Sequence, residues 1–123
     1  MTIISPQPLT RGEQQAAALA ALADLAGIPG LPVPDGYNIV RDWDSDELTA
    51  FIQLPGRGLE NRDRPRAYVE HLTGARWTVR RYTTSPHGEL RVSGQRGTAH
   101  VTAWIAVDGH ELDDAELLAK ALT

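Results

Sequence analysis

Three runs of strand-forming residues between Arg76 and Val107 constrain the fold of this chain more than any other feature. They are Arg76–Thr83, Glu89–Ser93 and Thr98–Val107, separated by Ser85-Pro86-His87-Gly88 and Gly94-Gln95-Arg96-Gly97. Both separators carry the Gly, Pro and Ser that set up tight reversals, so the runs predict an antiparallel meander, closed by Asp108-Gly109. Successive strand residues point to opposite faces, which sorts the side chains. Trp77, Val79, Leu90, Val92, Val101, Ala103, Ile105 and Val107 form an almost wholly apolar set, expected to face helices as core. Thr78, Arg80, Tyr82, Arg91, His100, Thr102 and Trp104 form the other set, an Arg–aromatic mixture of the kind enriched at interface hot spots and base-stacking platforms. Arg81 falls on the apolar side by parity and is expected to snorkel outward at the strand end. The competing reading puts a helix over the Trp104 face, with Arg80 and Arg91 then paired to acids of the last helix, Asp113, Asp114 and Glu116.

Thr10 and Glu13 read as the reciprocal cap of a first helix, with Leu19, Leu22, Leu25 and Ala26 on its apolar stripe and Gly27 as its stop. Ile28 to Gly36 carries three prolines and is predicted to be an extended connection. Tyr37–Trp43 and Leu48–Leu54 predict two strands about the acidic turn Asp44-Ser45-Asp46-Glu47, a turn expected to be simply solvated. Leu48, Phe51 and Ile52 also fit helical spacing, but alternation and Pro55-Gly56 favour a strand. Pro65 is expected at the first position of a short second helix running to Leu72 and ended by Gly74. A last helix is predicted from about Asp113, with Leu112, Ala115, Leu118 and Leu122 inward. The fold class is therefore α+β in the order α-β-β-α-β-β-β-α: one domain over 1–123, a hairpin plus a three-stranded meander packed with helices, residues 1–9 being an extension.

At 123 residues the chain suits one domain with a sizeable core, and with no Cys it has no disulfide, thiolate metal site or thiol nucleophile. Met1 to Pro8 does not read as a signal peptide, and no apolar run spans a bilayer, so a cytoplasmic protein with no membrane partner is the expectation. Arg outnumbers Lys 11 to 1, a bias expected of a high-GC bacterium or phage. Charge is sorted along the chain: residues 1–56 carry −5, 57–98 carry +5 and 99–123 carry −4. Such a band can meet an anionic partner or be neutralised by the chain's own acidic flanks, and the segregation also suits isologous self-pairing.

No catalytic motif is visible. Ser45, Ser85 and Ser93 lie at turns or strand ends without a nucleophile elbow, and the Gly/Arg loops 56–58 and 94–97 lack the P-loop lysine and hydroxyl. His71, His87, His100 and His110 share no ligand spacing. His110 with Asp108, Glu111, Asp113 and Asp114 offers a divalent-cation cluster, but without the arrangement of a calcium loop, so the acids are read as favouring a helix N-terminus. No metal or cofactor is expected, and an enzyme centred on His110 and Asp113 is the weakest of three classes. The leading expectation is a non-enzymatic protein-binding or self-associating (homodimeric) module. It would use Arg80, Tyr82, Arg91, His100 and Trp104, with Arg57, Arg62, Arg64 and Arg66 as a dense positive segment. The alternative is a nucleic-acid-binding protein that contacts phosphates through residues 57–98.

Overall fold

The computed structural model describes residues 8–123, so residues 1–7 of the expected extension lie outside the described residues. Helix α1 (Arg11–Ala26) begins as its sequence dictates: the Glu13 amide donates to Thr10 Oγ1 at 3.1 Å and the Thr10 amide to Glu13 Oε1 at 3.0 Å. The stripe it buries is Ala18, Ala21, Leu22 and Leu25, while Leu19 is 55% exposed and Ala26 is exposed. The contact face is thus turned towards the alanines. Their small side chains let the helix lie close on the sheet, and the leucines at 22 and 25 fill the space beside them.

After the proline-rich connection come β1 (Gly36–Arg41) and β2 (Leu48–Arg57), antiparallel from Gly36↔Gln53 to Arg41↔Leu48. The strand reading of 48–54 holds, but β2 does not stop at Pro55. It continues to Arg57 through a register irregularity between Gln53 and Arg57, the kind of place where a ladder tolerates proline. Pro65 does not open a helix reaching Leu72. One short 3₁₀ turn (Leu59–Asn61), a four-residue α2 (Asp63–Arg66) and a second 3₁₀ turn (Val69–His71) replace it, with Pro65 buried inside α2. Gly74, at φ 65°, then lies within the following strand and ends no helix.

The meander is β3 (Thr73–Arg81), β4 (Gly88–Arg96) and β5 (Ala99–Val107), followed by a 3₁₀ turn and α3 (Leu112–Leu122). Residues 94–96 belong to β4, and the reversal is confined to 97–98, with Gly97 at φ 61°. The absent side chain of Gly94 makes that extension possible, since a Cβ there would meet the Thr73 carbonyl at 2.9 Å. Helix α3 buries Leu112, Ala115 and Ala119, with Leu118 partly buried, whereas Leu122 is 49% exposed.

All five strands form one sheet in the order β1-β2-β5-β4-β3. Hairpin and meander are joined by the parallel pair β2–β5, registered Thr49↔His100 to Gln53↔Trp104. Ala50, Ile52, Leu54, Leu90, Val92, Val101, Ala103, Ile105 and Val107 share one buried cluster with Ala18, Leu22, Leu25, Tyr68, Leu112 and Ala119. Helices α1 and α3, with Tyr68 from the segment after α2, therefore serve the same face, as the sorting of the meander requires. No helix is long and apolar enough to cross a membrane among the described residues.

Candidate interaction face

The opposite face carries Thr49, Phe51 and Gln53 of β2, His100, Thr102 and Trp104 of β5, Glu89, Arg91 and Ser93 of β4, and Thr78 and Arg80 of β3, by the observed register. At its centre lies Arg91, whose side chain is 3% exposed. Its Nη2 donates to Asp42 Oδ2 and its Nη1 to Asp44 Oδ2, both at 3.0 Å. Glu89 Oε1 lies 3.9 Å from Nε, which has no hydrogen-bond partner among the described residues, and the guanidinium carbon sits 5.3 Å from the Phe51 ring centroid. A charge this deep is tolerated only when surrounded by counter-charge.

The source of that counter-charge corrects the sequence reading. The β1–β2 turn folds over the sheet: the Asp46 amide donates to the Asp42 carbonyl at 2.8 Å, Asp46 adopts φ 59°, and Asp42 ends 8% exposed. Asp42 and Asp44 thus anchor Arg91, while Asp44, Ser45, Asp46 and Glu47 are all exposed, as expected of a solvated turn. The acids of α3 serve a different cation: Arg81 snorkels out and binds Glu116 Oε1 at 2.5 Å and Asp113 Oδ1 at 2.7 Å, which holds the Glu116 carboxyl below its ordinary range. Beside Arg91, the Tyr82 hydroxyl donates to Glu89 Oε2 at 2.5 Å. Burial, then that bond to a carboxylate, hold the Tyr82 phenol well above its usual range.

The folded turn divides the face into two hollows. One, of about 260 Å³, is lined by Tyr37, Val40, Trp43, Phe51, Arg80 and Trp104 among others. Trp43 is 85% exposed and Val40 is exposed beside it, whereas Tyr37 pairs with Ile52 and belongs to the helix-covered side of the edge strand. Arg80 is half-buried and forms no ion pair among the described residues. The other hollow, of about 540 Å³, is lined by hydroxyls (Thr49, Thr78, Ser93, Thr102) with Arg76 and His100. Ser93 and Thr102 hydrogen-bond each other at 2.9 Å, and His100 Nε2 lies 3.6 Å from Glu47.

The expected site residues are thus brought together only in part. Arg80 and Trp104 line the aromatic hollow, Tyr82 and Arg91 form the locked centre, and His100 belongs to the polar hollow. The segment 57–66 lies elsewhere, at the end of β2 and on α2, and its cations are engaged locally. Arg57 Nε meets Asp108 Oδ1 at 2.5 Å, Arg62 and Arg64 donate to the carbonyls of Leu59 and Pro55, and Arg66 lies 4.0 Å from Asp63. Trp43, Phe51 and Glu89 are the face residues that the sequence left unnoticed. Alternation along β2 carried the facing of Phe51 and alternation along β4 that of Glu89, but the parallel β2–β5 pairing that sets Phe51 beside Thr102 left no local trace.

Asp108, His110 and Glu111 place ligand-capable atoms within 4.8 Å of one another. Their carboxylates already hold the turn together. The Asp108 amide donates to Glu111 Oε1 at 3.3 Å, the Leu59 amide to Glu111 Oε2 at 2.9 Å, and Arg57 keeps the Asp108 carboxyl below its usual range. No protein-family model, no curated protein and no solved structure matches the chain.

Proposed function

We propose that this chain is a non-enzymatic protein-binding module whose contact surface is the helix-free sheet face around Trp43, Trp104 and Arg80. One observation carries the reading: exposed Trp43 and half-buried Phe51 and Trp104 line a hollow together with the guanidinium of Arg80, which has no ionic partner among the described residues. Trp, Tyr and Arg are the residues that dominate binding energy when a partner desolvates them. The occupant that fits is a segment of a partner protein with a carboxylate next to an apolar or aromatic side chain. The carboxylate answers Arg80 by a forked pair, and the apolar group fills the space between the tryptophans.

Selection from a phage-displayed random peptide library tests this. Enriched peptides should pair Asp or Glu with an apolar neighbour, and Trp104→Ala or Arg80→Glu should each weaken a selected peptide about 30-fold or more, the loss of a hot-spot contact. Arg66→Glu, away from the face, should leave affinity unchanged. Absence of enrichment, or peptides indifferent to both face variants, would overturn the reading.

A further inference from the structure

The polar hollow, of about 540 Å³, is the larger of the two on this face, and peptide contact at the aromatic hollow does not use it. Its floor is set by the strand register. Arg76 lies opposite Ser93, and Ser93 opposite Thr102, in one row across β3, β4 and β5. Gln95, His100 and Thr49 form the next row, across β4, β5 and β2. Neighbours in a row stand about 5 Å apart, the strand spacing, so the floor is a flat grid of hydrogen-bonding side chains. Asp44 and Glu47 of the folded turn wall it on one side.

We infer that this hollow is a second ligand site and that it holds a neutral saccharide. Three properties select that class. The first is hydrogen-bonding capacity. The side chains of Arg76, Thr78 and Gln95 make no hydrogen bond among the described residues, and the bond between Ser93 and Thr102 uses one of their two hydroxyl protons and leaves the other free. Donors and acceptors are therefore mixed, as a ligand needs whose every hydroxyl both donates and accepts. The second is charge. The lining carries the carboxylates of Asp42, Asp44 and Glu47 against the guanidiniums of Arg76 and Arg91. Arg91 is engaged by Asp42 and Asp44, and Glu47 lies 3.6 Å from His100, so no unopposed positive charge is left to hold a phosphate beside the acidic wall. The third is the scarcity of hydrocarbon: Val101 is the one lining residue with a purely aliphatic side chain among the described residues. An apolar ligand would thus strand polar groups without partners. The threonines instead set a methyl beside each hydroxyl, which suits the alternating C–H and O–H groups of a sugar ring. The volume falls within the roughly 300–1,000 Å³ of small-molecule sites. The site lies across the folded turn from the aromatic hollow and stands independently of what that hollow binds.

Amide nuclear magnetic resonance of the full chain tests the assignment, with glucose, galactose, mannose and maltose titrated in turn and inorganic phosphate titrated separately. At least one sugar should shift the Ser93, Gln95 and His100 amides saturably at millimolar concentration while the Trp43 indole stays in place. Gln95→Ala and Arg76→Ala, both at exposed positions, should keep the amide spectrum of the folded chain and each raise the dissociation constant for that sugar about 10-fold. Phosphate should leave the hollow unmoved. No saturable shift with any of these sugars up to about 100 mM would overturn the assignment. So would phosphate binding at the hollow in their place, or a sugar affinity indifferent to both variants. None of these outcomes bears on peptide binding at the aromatic hollow, which is read from Trp104→Ala and Arg80→Glu.

Discussion

Arg91 is the residue on which the geometry of the face depends. Its guanidinium is buried between the buried carboxylates of Asp42 and Glu89 and also meets the exposed Asp44, so removing it strands the first two away from water. Arg91→Met should lower unfolding stability by about 3–5 kcal/mol, read from urea denaturation. The triple variant Asp42→Asn/Glu89→Gln/Arg91→Met should recover most of that loss, and a triple no more stable than the single would show that the charges are not what matters. Sequence alternation placed Arg91 and Trp104 on one face, and they are cross-strand partners in β4–β5. It left unread that Arg91 is locked while Arg80 is free. The acids that lock Arg91 come from residues 47 and 49 positions away, and nothing local to Arg91 announces them.

At the scale of elements, the segment between β2 and β3 holds the clearest pH-dependent group. Tyr68 is 2% exposed on the core side, its hydroxyl donates to the Pro32 carbonyl at 3.2 Å, and burial pushes its phenol up to about 12. An unfolded tyrosine ionises near about pH 10. The folded state therefore holds its proton more tightly, and the stability this confers is complete below about pH 10 and lost as pH rises towards 12. Tyr82, raised in the same direction, adds to the fall. The urea midpoint should be level from about pH 8 to 10 and drop above it, and Tyr68→Phe should flatten part of that drop. A midpoint that does not fall above pH 10 would contradict the burial assigned to these phenols.

Gly88 tests the packing of α3 in the same way. A Cβ there would collide with the Arg80 carbonyl and lie 2.8 Å from Leu112, so Gly88→Ala should lower the melting temperature. The elements themselves were largely legible, because turn residues and period-2 alternation are local signals. The second helix was not: after α2, tighter bonds such as Tyr68 N–H to the Pro65 carbonyl and His71 N–H to the Tyr68 carbonyl replace the regular helical ladder, a choice made by packing and not by composition.

For the whole molecule, the decisive feature is that α1 and α3 cover one face and leave the other to the folded β1–β2 turn. That asymmetry was an open alternative in the sequence, since helix-face patterns do not say which side of a sheet is filled. The parallel β2–β5 pair was equally hidden, because its partners lie about fifty residues apart and share no motif. The same architecture weakens the nucleic-acid reading, since Arg57, Arg62, Arg64 and Arg66 are engaged locally and the net charge is −4. Labelled DNA or RNA should show no binding at about 50 mM salt in fluorescence anisotropy. Binding that then weakens steeply towards 200 mM would instead identify a phosphate-contacting surface.

The most direct test of the proposed face uses the three tryptophans as reporters. Trp43 and Trp104 line the aromatic hollow, and Trp77 is buried on the opposite side of the sheet. Indole N–H resonances should be followed by nuclear magnetic resonance while a selected acidic–apolar peptide is added. The account predicts that the Trp43 and Trp104 signals move together and saturate while Trp77 stays in place. Movement of Trp77 alone, or saturable peptide binding that leaves Trp43 and Trp104 unmoved, would contradict it.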